Sequence, residues 1–339
     1  MEFLYGKTPD ELALLCAEER LPRFAAGQIA RWLYRRHEER PAAMTDLPAA
    51  ARARLSERFA AALSAPVHVD ESADGTRKYL FRTPEGDFVE SAYIPDGERA
   101  TLCVSSQAGC RMGCRFCATG RQGLSRSLTA ASILNQIVSL PERDRLTNVV
   151  FMGMGEPLDN LDEVLRALRI LTSEWGFGWS PTRITVSTAG VLPALPRFLD
   201  ETKAHLAVSL HNPFGDERAE IMPVERAWPV REVAELLRRY DFTRQRRVSF
   251  EYIVLSGMND SPRHVRELCR LLNGIKCRIN LIRFHKIPGS PYFSPSDEAM
   301  IRFRDALTAR GIQTTIRASR GEDIRAACGL LSTERQQTE

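Results

Sequence analysis

Thr101-Leu-Cys-Val-Ser-Ser-Gln-Ala-Gly-Cys110-Arg-Met-Gly-Cys114-Arg-Phe-Cys117 runs from a short β-prone segment straight into three cysteines on one short loop. Beyond it the chain becomes rhythmic. Apolar, strand-like runs at 101–104, 148–152, 183–186, 205–210, 248–254, 278–282 and 313–316 alternate with helical periodicity at 130–140, 161–174, 192–200, 230–240, 262–272 and 297–310. Strands alternating with helices need right-handed crossovers, which build a parallel sheet, open or closed. The expected fold class is α/β over residues 99–320.

Upstream, residues 1–65 read as helix. Thr8 and Glu11 have the spacing of a capping box ahead of Leu12, Leu14 and Leu15. A second helix is expected to present Ile29, Trp32 and Leu33 on one face, and a third Leu55, Phe59 and Leu63. Residues 66–98 change character: 78–82 and 88–94 are strand-like and flank the turn Pro84-Glu-Gly-Asp87, a short β extension. A last segment, 321–339, carries Cys328.

The composition is that of an ordinary globular chain, with 43% hydrophobic and 27% charged residues in 339, which excludes disordered and collagen-like classes. No run approaches the roughly 18–20 apolar residues of a membrane span, and the acidic start does not read as a secretory signal. A cytoplasmic protein is expected. Only five lysines occur, so arginine supplies nearly all the positive charge behind the net +4. From Arg99 to Pro141 there is no Asp, Glu or Lys, yet Arg99, Arg111, Arg115, Arg121 and Arg126 are present. A second run holds Arg238, Arg239, Arg244, Arg246 and Arg247. Such clusters can track a phosphate backbone; GC-rich codon usage and solvated helix faces explain arginine equally well.

The chemistry concentrates in Cys110, Cys114 and Cys117. In a reducing compartment three close thiols point to metal binding or catalysis rather than disulfides. Zinc sites favour paired C-x-x-C units with four ligands, whereas the spacing here is three then two. Three thiolates on a [4Fe–4S] cube leave one iron open. Gly153 and Gly155 allow close backbone approach to a ligand, and Glu156, Ser187 and Ser209–His211 fall at strand C-terminal ends, where parallel barrels gather ligands. By strand alternation Glu90 shares an apolar face with Phe88, Ala92 and Ile94, which should raise its pKa. Cys16, Cys103, Cys269 and Cys277 by themselves read as core thiols.

C-x-x-x-C-x-x-C after the first strand of a βα series resembles the radical S-adenosylmethionine (SAM) superfamily. Arg99–Cys110, Phe151-Met-Gly-Met-Gly-Glu-Pro157, Val208-Ser-Leu-His211, Asp323-Ile-Arg-Ala-Ala-Cys-Gly329 and Arg23-Phe-Ala-Ala-Gly-Gln-Ile-Ala-Arg-Trp-Leu-Tyr34 closely resemble the RlmN/Cfr family of RNA methyltransferases. The resemblance implies a partial (βα)6 barrel with a helical, RNA-binding type N-terminal domain and a small β extension. It implies one [4Fe–4S] cluster on Cys110, Cys114 and Cys117, and two SAM molecules per turnover contacted by Gly155, Glu156, Ser187, Ser209, Leu210 and His211. His285 stands where the family has asparagine and is also expected at SAM.

The same resemblance makes Cys328 a methyl carrier and Cys103 the thiol that releases the product through a transient disulfide. Glu90 is then the base that takes the C2 proton of adenine. Its implied substrates are 23S rRNA at the peptidyl-transferase centre and the tRNA adenosine 3′ to the anticodon, with the base extruded into the barrel mouth. A low-potential electron donor such as flavodoxin and a monomeric state are expected. Alternatives are methylation at C8, as in the Cfr branch, a radical-SAM enzyme acting on a peptide, and a non-catalytic zinc-bound RNA-binding module.

Overall fold

The computed structural model describes residues 2–242 and 247–333; Arg244 and Arg246 of the second arginine run lie outside them. Three helices come first: α1 (Pro9–Glu18), α2 (Ala25–Arg35) and α3 (Ala49–Arg58). The capping box closes α1 as the sequence predicts, with Thr8 Oγ1 accepting from Glu11 N and Glu11 Oε2 accepting from Thr8 N. On α2, Ile29 and Leu33 are buried, while Trp32 is half-buried and donates its indole N–H to Asp46 at 2.6 Å.

The third helix stops earlier than the apolar spacing suggests. Phe59 is already extended, Ala60 bridges to Phe3, and the Glu39 carboxylate accepts from Ala62 N and Leu63 N. Leu63 therefore packs from an extended strand of chain, not from a helix.

The chain then forms four antiparallel strands, β1 (His68–Glu71), β2 (Arg77–Arg82), β3 (Phe88–Asp96) and β4 (Arg99–Cys103). A two-stranded excursion follows: β5 (Gln107–Cys110) and β6 (Gly123–Ser127), with α4 (Ala118–Gln122) between them. After α5 (Ala130–Val138) come β7 (Asn148–Phe151), α6 (Leu161–Thr172), β8 (Ile184–Thr188), α7 (Leu195–Glu201) and β9 (His205–Ser209). The series ends with α8 (Gly215–Ile221), α9 (Val230–Leu237), β10 (Val248–Val254), α10 (Pro262–Leu271), β11 (Cys277–Arg283), α11 (Asp297–Thr308) and β12 (Gln313–Ile316).

One ten-stranded sheet runs β1-β2-β3-β4-β7-β8-β9-β10-β11-β12, and every pairing from β4 to β12 is parallel. The sheet is open at β1 and β12, a partial barrel of six βα units with a seventh parallel strand. The β extension is continuous with it, since Ala92 on β3 pairs with Cys103 on β4.

The N-terminal helices dock on this body. Arg166 on α6 pairs with Glu11, Arg169 reaches Asp10 at 3.1 Å, and Trp175 meets Tyr34 edge-on at 5.8 Å. Tyr34 in turn donates to Lys7 O at 2.6 Å. Among the described residues no helix is long and apolar enough to cross a membrane.

Glu11 both closes the capping box and pairs with Arg166. Thr8→Ala should therefore cost about 1 kcal/mol, read as a lower urea midpoint with unchanged slope.

Candidate active site

Placement of the three cysteines begins with a glycine. Gly109 has φ +79, and a Cβ there would lie 1.9 Å from the Gly123 carbonyl, so only glycine lets β5 and β6 close and deliver Cys110. The loop is then tied down by Arg115 N donating to Ile221 O at 3.0 Å and Cys117 N donating to Cys114 O at 3.1 Å. All three thiols line one inner cavity, with Met112 and Phe116 as its apolar wall. Burial raises the pKa of each, that of Cys110 to about 12. Uncoordinated, they stay protonated; a bound metal must expel those protons.

Among the described residues no three His, Cys, Asp or Glu side chains converge as a site for a single metal ion. Three soft sulfurs on one cavity wall do suit an iron–sulfur cube with one iron left open to a non-protein ligand.

The opposite wall of the inner cavity is built from strand ends. Gly155, Glu156, Ser187, Ser209 and His211 all line it. Gly155 adopts φ +98, and a Cβ would lie 2.5 Å from Gln107 Cβ, which brings the 153–157 turn against the cysteine hairpin. Glu156 is 4% exposed. Burial pushes its pKa up to about 7, although Ala189 N–H, the Thr188 hydroxyl and Leu158 N–H all hold the charged form. His211 has φ +56, and its Nδ1 accepts from Ile253 N at 2.9 Å. Burial drops its pKa to about 3, so the ring is neutral and its proton is on Nε2.

Two sequence-predicted contacts lie elsewhere. Leu210 is fully buried and does not line the cavity; its carbonyl accepts from Arg218 Nε. His285 lines a separate outer cavity, with Nδ1 3.3 Å from Glu322.

That outer cavity, about 420 Å³, has Cys103 on its wall, with Thr101, Arg99, Arg317 and Arg320. Burial, with Cys328 adding, pushes the Cys103 thiol up to about 12. Cys328 is exposed and lines both cavities. All eight cysteines are free thiols, and Cys16, Cys269 and Cys277 join the main core.

The segment bearing Cys328 is anchored at both ends. Ser72 donates to Asp323 at 2.6 Å and Gly321 N to Asp74 at 3.0 Å, while Thr119 donates to Leu331 O at 2.6 Å and Gln122 to Thr333 Oγ1 at 2.7 Å. Glu90 is 2% exposed on the apolar face that strand alternation gives it, and burial raises its pKa. It lines neither cavity; Ser332 N donates to its Oε2 at 2.9 Å, so the terminal segment covers it.

Sequence reasoning missed two arginines. Arg218, fully buried, donates to the carbonyls of Ala189, Ser209 and Leu210 and pairs with Glu225. Arg317 follows β12, lines both cavities, and contacts Glu251 at 3.5 Å and Met152 Sδ at 3.3 Å. A single arginine in an arginine-rich chain has no spacing signal. The acid-free arginine run is also less bare than it reads, because Asp159 pairs with Arg111 and Asp87 with Arg126.

Two predictions follow from burial. The raised pKa of Glu156 means stability is complete below the unfolded value and is lost as pH rises towards about 7. Relative to Glu156→Gln, ligand-free wild type should lose up to about 3 kcal/mol between pH 4.5 and 8 in urea titrations. Arg218→Met strands Glu225 and three carbonyls and should cost about 3–5 kcal/mol by the same measurement.

With this geometry in hand, comparison with known proteins is direct. A model described as Radical SAM superfamily matches residues 104–271, and one described as Ribosomal RNA large subunit methyltransferase N-terminal domain matches residues 4–61. The Bacteroides fragilis protein called "Probable dual-specificity RNA methyltransferase RlmN" is 56% identical over 98% of this chain and 97% of its own length. The Syntrophus aciditrophicus "Dual-specificity RNA methyltransferase RlmN" is 43% identical over 91% of this chain and 90% of its own. A crystal structure of a radical SAM methyltransferase from Sphaerobacter thermophilus superposes with a TM-score of 0.90 at 44% identity, covering 98% of this chain and 100% of that one. The chain belongs to the RlmN family of radical SAM methyltransferases.

Proposed function

We propose that this protein methylates C2 of adenosine in 23S rRNA and in tRNA, with Cys328 as an intermediate methyl carrier. The observation that carries the reading is the position of Cys328 on the wall shared by two cavities. One cavity has the three cluster-type thiols and the strand-end groups Glu156, Ser187, Ser209 and His211; the other has Cys103 and arginines. A carrier must face a donor and an acceptor, and this sulfur faces both compartments.

When bound, the cluster and SAM supply a methyl group and, after one-electron reduction, a carbon-centred radical, chemistry the protein orients but does not itself possess. Cys110, Cys114 and Cys117 would hold the cluster. Glu156 offers a carboxylate to the SAM ammonium or ribose, and neutral His211 offers an N–H donor without adding positive charge near a sulfonium. Cys328 would take the methyl as a thioether and give up one hydrogen atom from it; the resulting methylene carbon would bond to C2, and the adduct's unpaired electron would return to the redox system that supplied it. Glu90 removes the C2 proton once the covering Ser332 backbone moves aside.

Cys103 then attacks the Cys328 sulfur. The S–S bond forms as the S–C bond breaks; the electron pair stays on the methylene carbon, which takes up a proton in exchange for the one Cys103 gave up, and the methylated base leaves; thiol reductants reopen the disulfide. Burial keeps Cys103 protonated until then, and the adjacent guanidinium of Arg317 favours its thiolate when it is needed. On the rim, Arg99 and Arg320 suit phosphate contact with an extruded nucleotide. The electron donor is a low-potential protein of flavodoxin type, and the protein acts as a cytoplasmic monomer.

Peptide mapping of protein purified from cells should find a methyl increment on Cys328. Cys103→Ala should accumulate a covalent protein–RNA adduct, and Cys328→Ala should lower methyl transfer by at least about 10⁴-fold. Mass spectrometry of digested RNA should locate the methyl on C2. An unmodified Cys328 in active enzyme overturns the carrier.

A further inference from the structure

We propose that Lys78, Asp70 and His68 form an outlet through which the proton taken up by Glu90 reaches solvent. The inference rests on the reading of Glu90 as the base and extends it: a buried carboxylate that accepts a proton in each cycle must lose it before the next.

The geometry is a continuous chain across three antiparallel strands. Glu90 Oε1 lies 3.2 Å from Lys78 Nζ, Lys78 Nζ lies 3.3 Å from Asp70 Oδ2, and Asp70 Oδ1 lies 3.1 Å from His68 Nε2. Register places all four on one face of the sheet. Asp70 is opposite Lys78 and His68 opposite Leu80, while Glu90 is also opposite Leu80, two residues from Lys78. Side-chain exposure rises steadily along the chain, from 2% at Glu90 to 13% at Lys78, 38% at Asp70 and 59% at His68.

The two oxygens of Glu90 face different ways. Oε2 is covered by Ser332 N–H from the segment that carries Cys328, the side from which substrate would arrive. Oε1 faces the outlet.

The transfer balances without any other reactant. An ammonium has no lone pair to accept with, so the Lys78 ammonium first gives a proton to Asp70 and the neutral amine then takes the proton of Glu90; the ammonium is restored, Glu90 is again a carboxylate, and Asp70 carries the proton. Asp70 releases it to water directly or through the imidazole of His68, which can both accept and donate. Burial raises the pKa of Glu90, whereas at Asp70 the hydrogen bond to His68 and the Lys78 charge outweigh burial and lower it. Asp70 is therefore a point of passage to bulk water and not a store.

A purely structural Lys78 would only neutralise a buried carboxylate. Asp70→Asn separates the two roles, because it leaves the Lys78–Glu90 pair intact and changes a residue near the surface. In cluster-loaded enzyme with SAM, reductant and RNA, the readouts are Cys328 methyl occupancy and the yield of methyladenosine per 5′-deoxyadenosine formed. Wild-type occupancy is expected in every variant, since Cys328 is methylated before the proton is taken.

The methyladenosine yield should fall about tenfold in Lys78→Met and about threefold in Asp70→Asn, because proton transfer is worth at least such factors, and Lys78→Arg, which keeps the charge but cannot lend a proton, should stay as low as Lys78→Met. Wild-type yields in both Lys78→Met and Asp70→Asn, alongside a low yield in Glu90→Gln, would overturn the outlet alone. A wild-type yield in Glu90→Gln would overturn the base assignment and the outlet with it.

Discussion

A single buried guanidinium holds the candidate site in shape. Arg218 has no contact with water, and such a charge is tolerated only if it is paired and hydrogen-bonded. It is: the ends of β8 and β9 supply the Ala189, Ser209 and Leu210 carbonyls, and Glu225 supplies the countercharge. The geometry of the inner cavity follows from this. Ala189 N, fixed beside one of those carbonyls, donates to Glu156 at 2.7 Å, and His211 comes two residues after Ser209 in a left-handed conformation that points Nδ1 at the β10 backbone. Loosening the guanidinium would release both ligand-facing groups together.

The second organising feature is a division of space. Parallel strands end on one side of the sheet, and the loops there would normally enclose one pocket. The terminal segment crosses that opening and brings Cys328 to the stretch of wall that two adjoining cavities share. The cysteine-lined cavity adjoins the arginine-lined one, and among the described residues Cys117, Met152, Gly153, Ile282, Arg317, Cys328 and Gly329 border both.

Much of this was legible in the residues because burial imposes periodicity. Each of the seven parallel strands and six of the eight helices between them left an apolar rhythm, the short α4 and α8 being the exceptions, and Glu90 is buried as its alternation with apolar residues suggests. What failed to show was structure held by contacts remote in sequence. β1 is short and almost wholly exposed, so it has no alternation to read. α3 ends where Phe3, fifty-odd residues away, bridges Ala60. Arg218 and Arg317 matter through the carbonyls and carboxylates they meet, which no local spacing encodes. His285, at the motif position where the family has asparagine, lines the arginine-lined cavity beside Glu322.

The β extension, which the sequence offers as a peripheral hairpin, gains its meaning from continuity with the barrel sheet. Because β3 pairs with β4, Glu90 lies two residues from Ala92, the residue directly opposite Cys103, and Ser105, just past β4, donates to the Glu90 carbonyl at 2.6 Å. The proposed base and the proposed resolving thiol are thus fixed relative to each other by β-sheet hydrogen bonds, the least adjustable element available. Cys328 is held differently: an exposed thiol outside the sheet, between buried Ala327 and Leu330, with the Gly329 carbonyl accepting from Ala118 N at 2.8 Å. In the proposed reaction the base and the resolving thiol would keep one fixed spacing, and any movement of the carrier would fall to the exposed Cys328 side chain, because its flanking backbone is anchored.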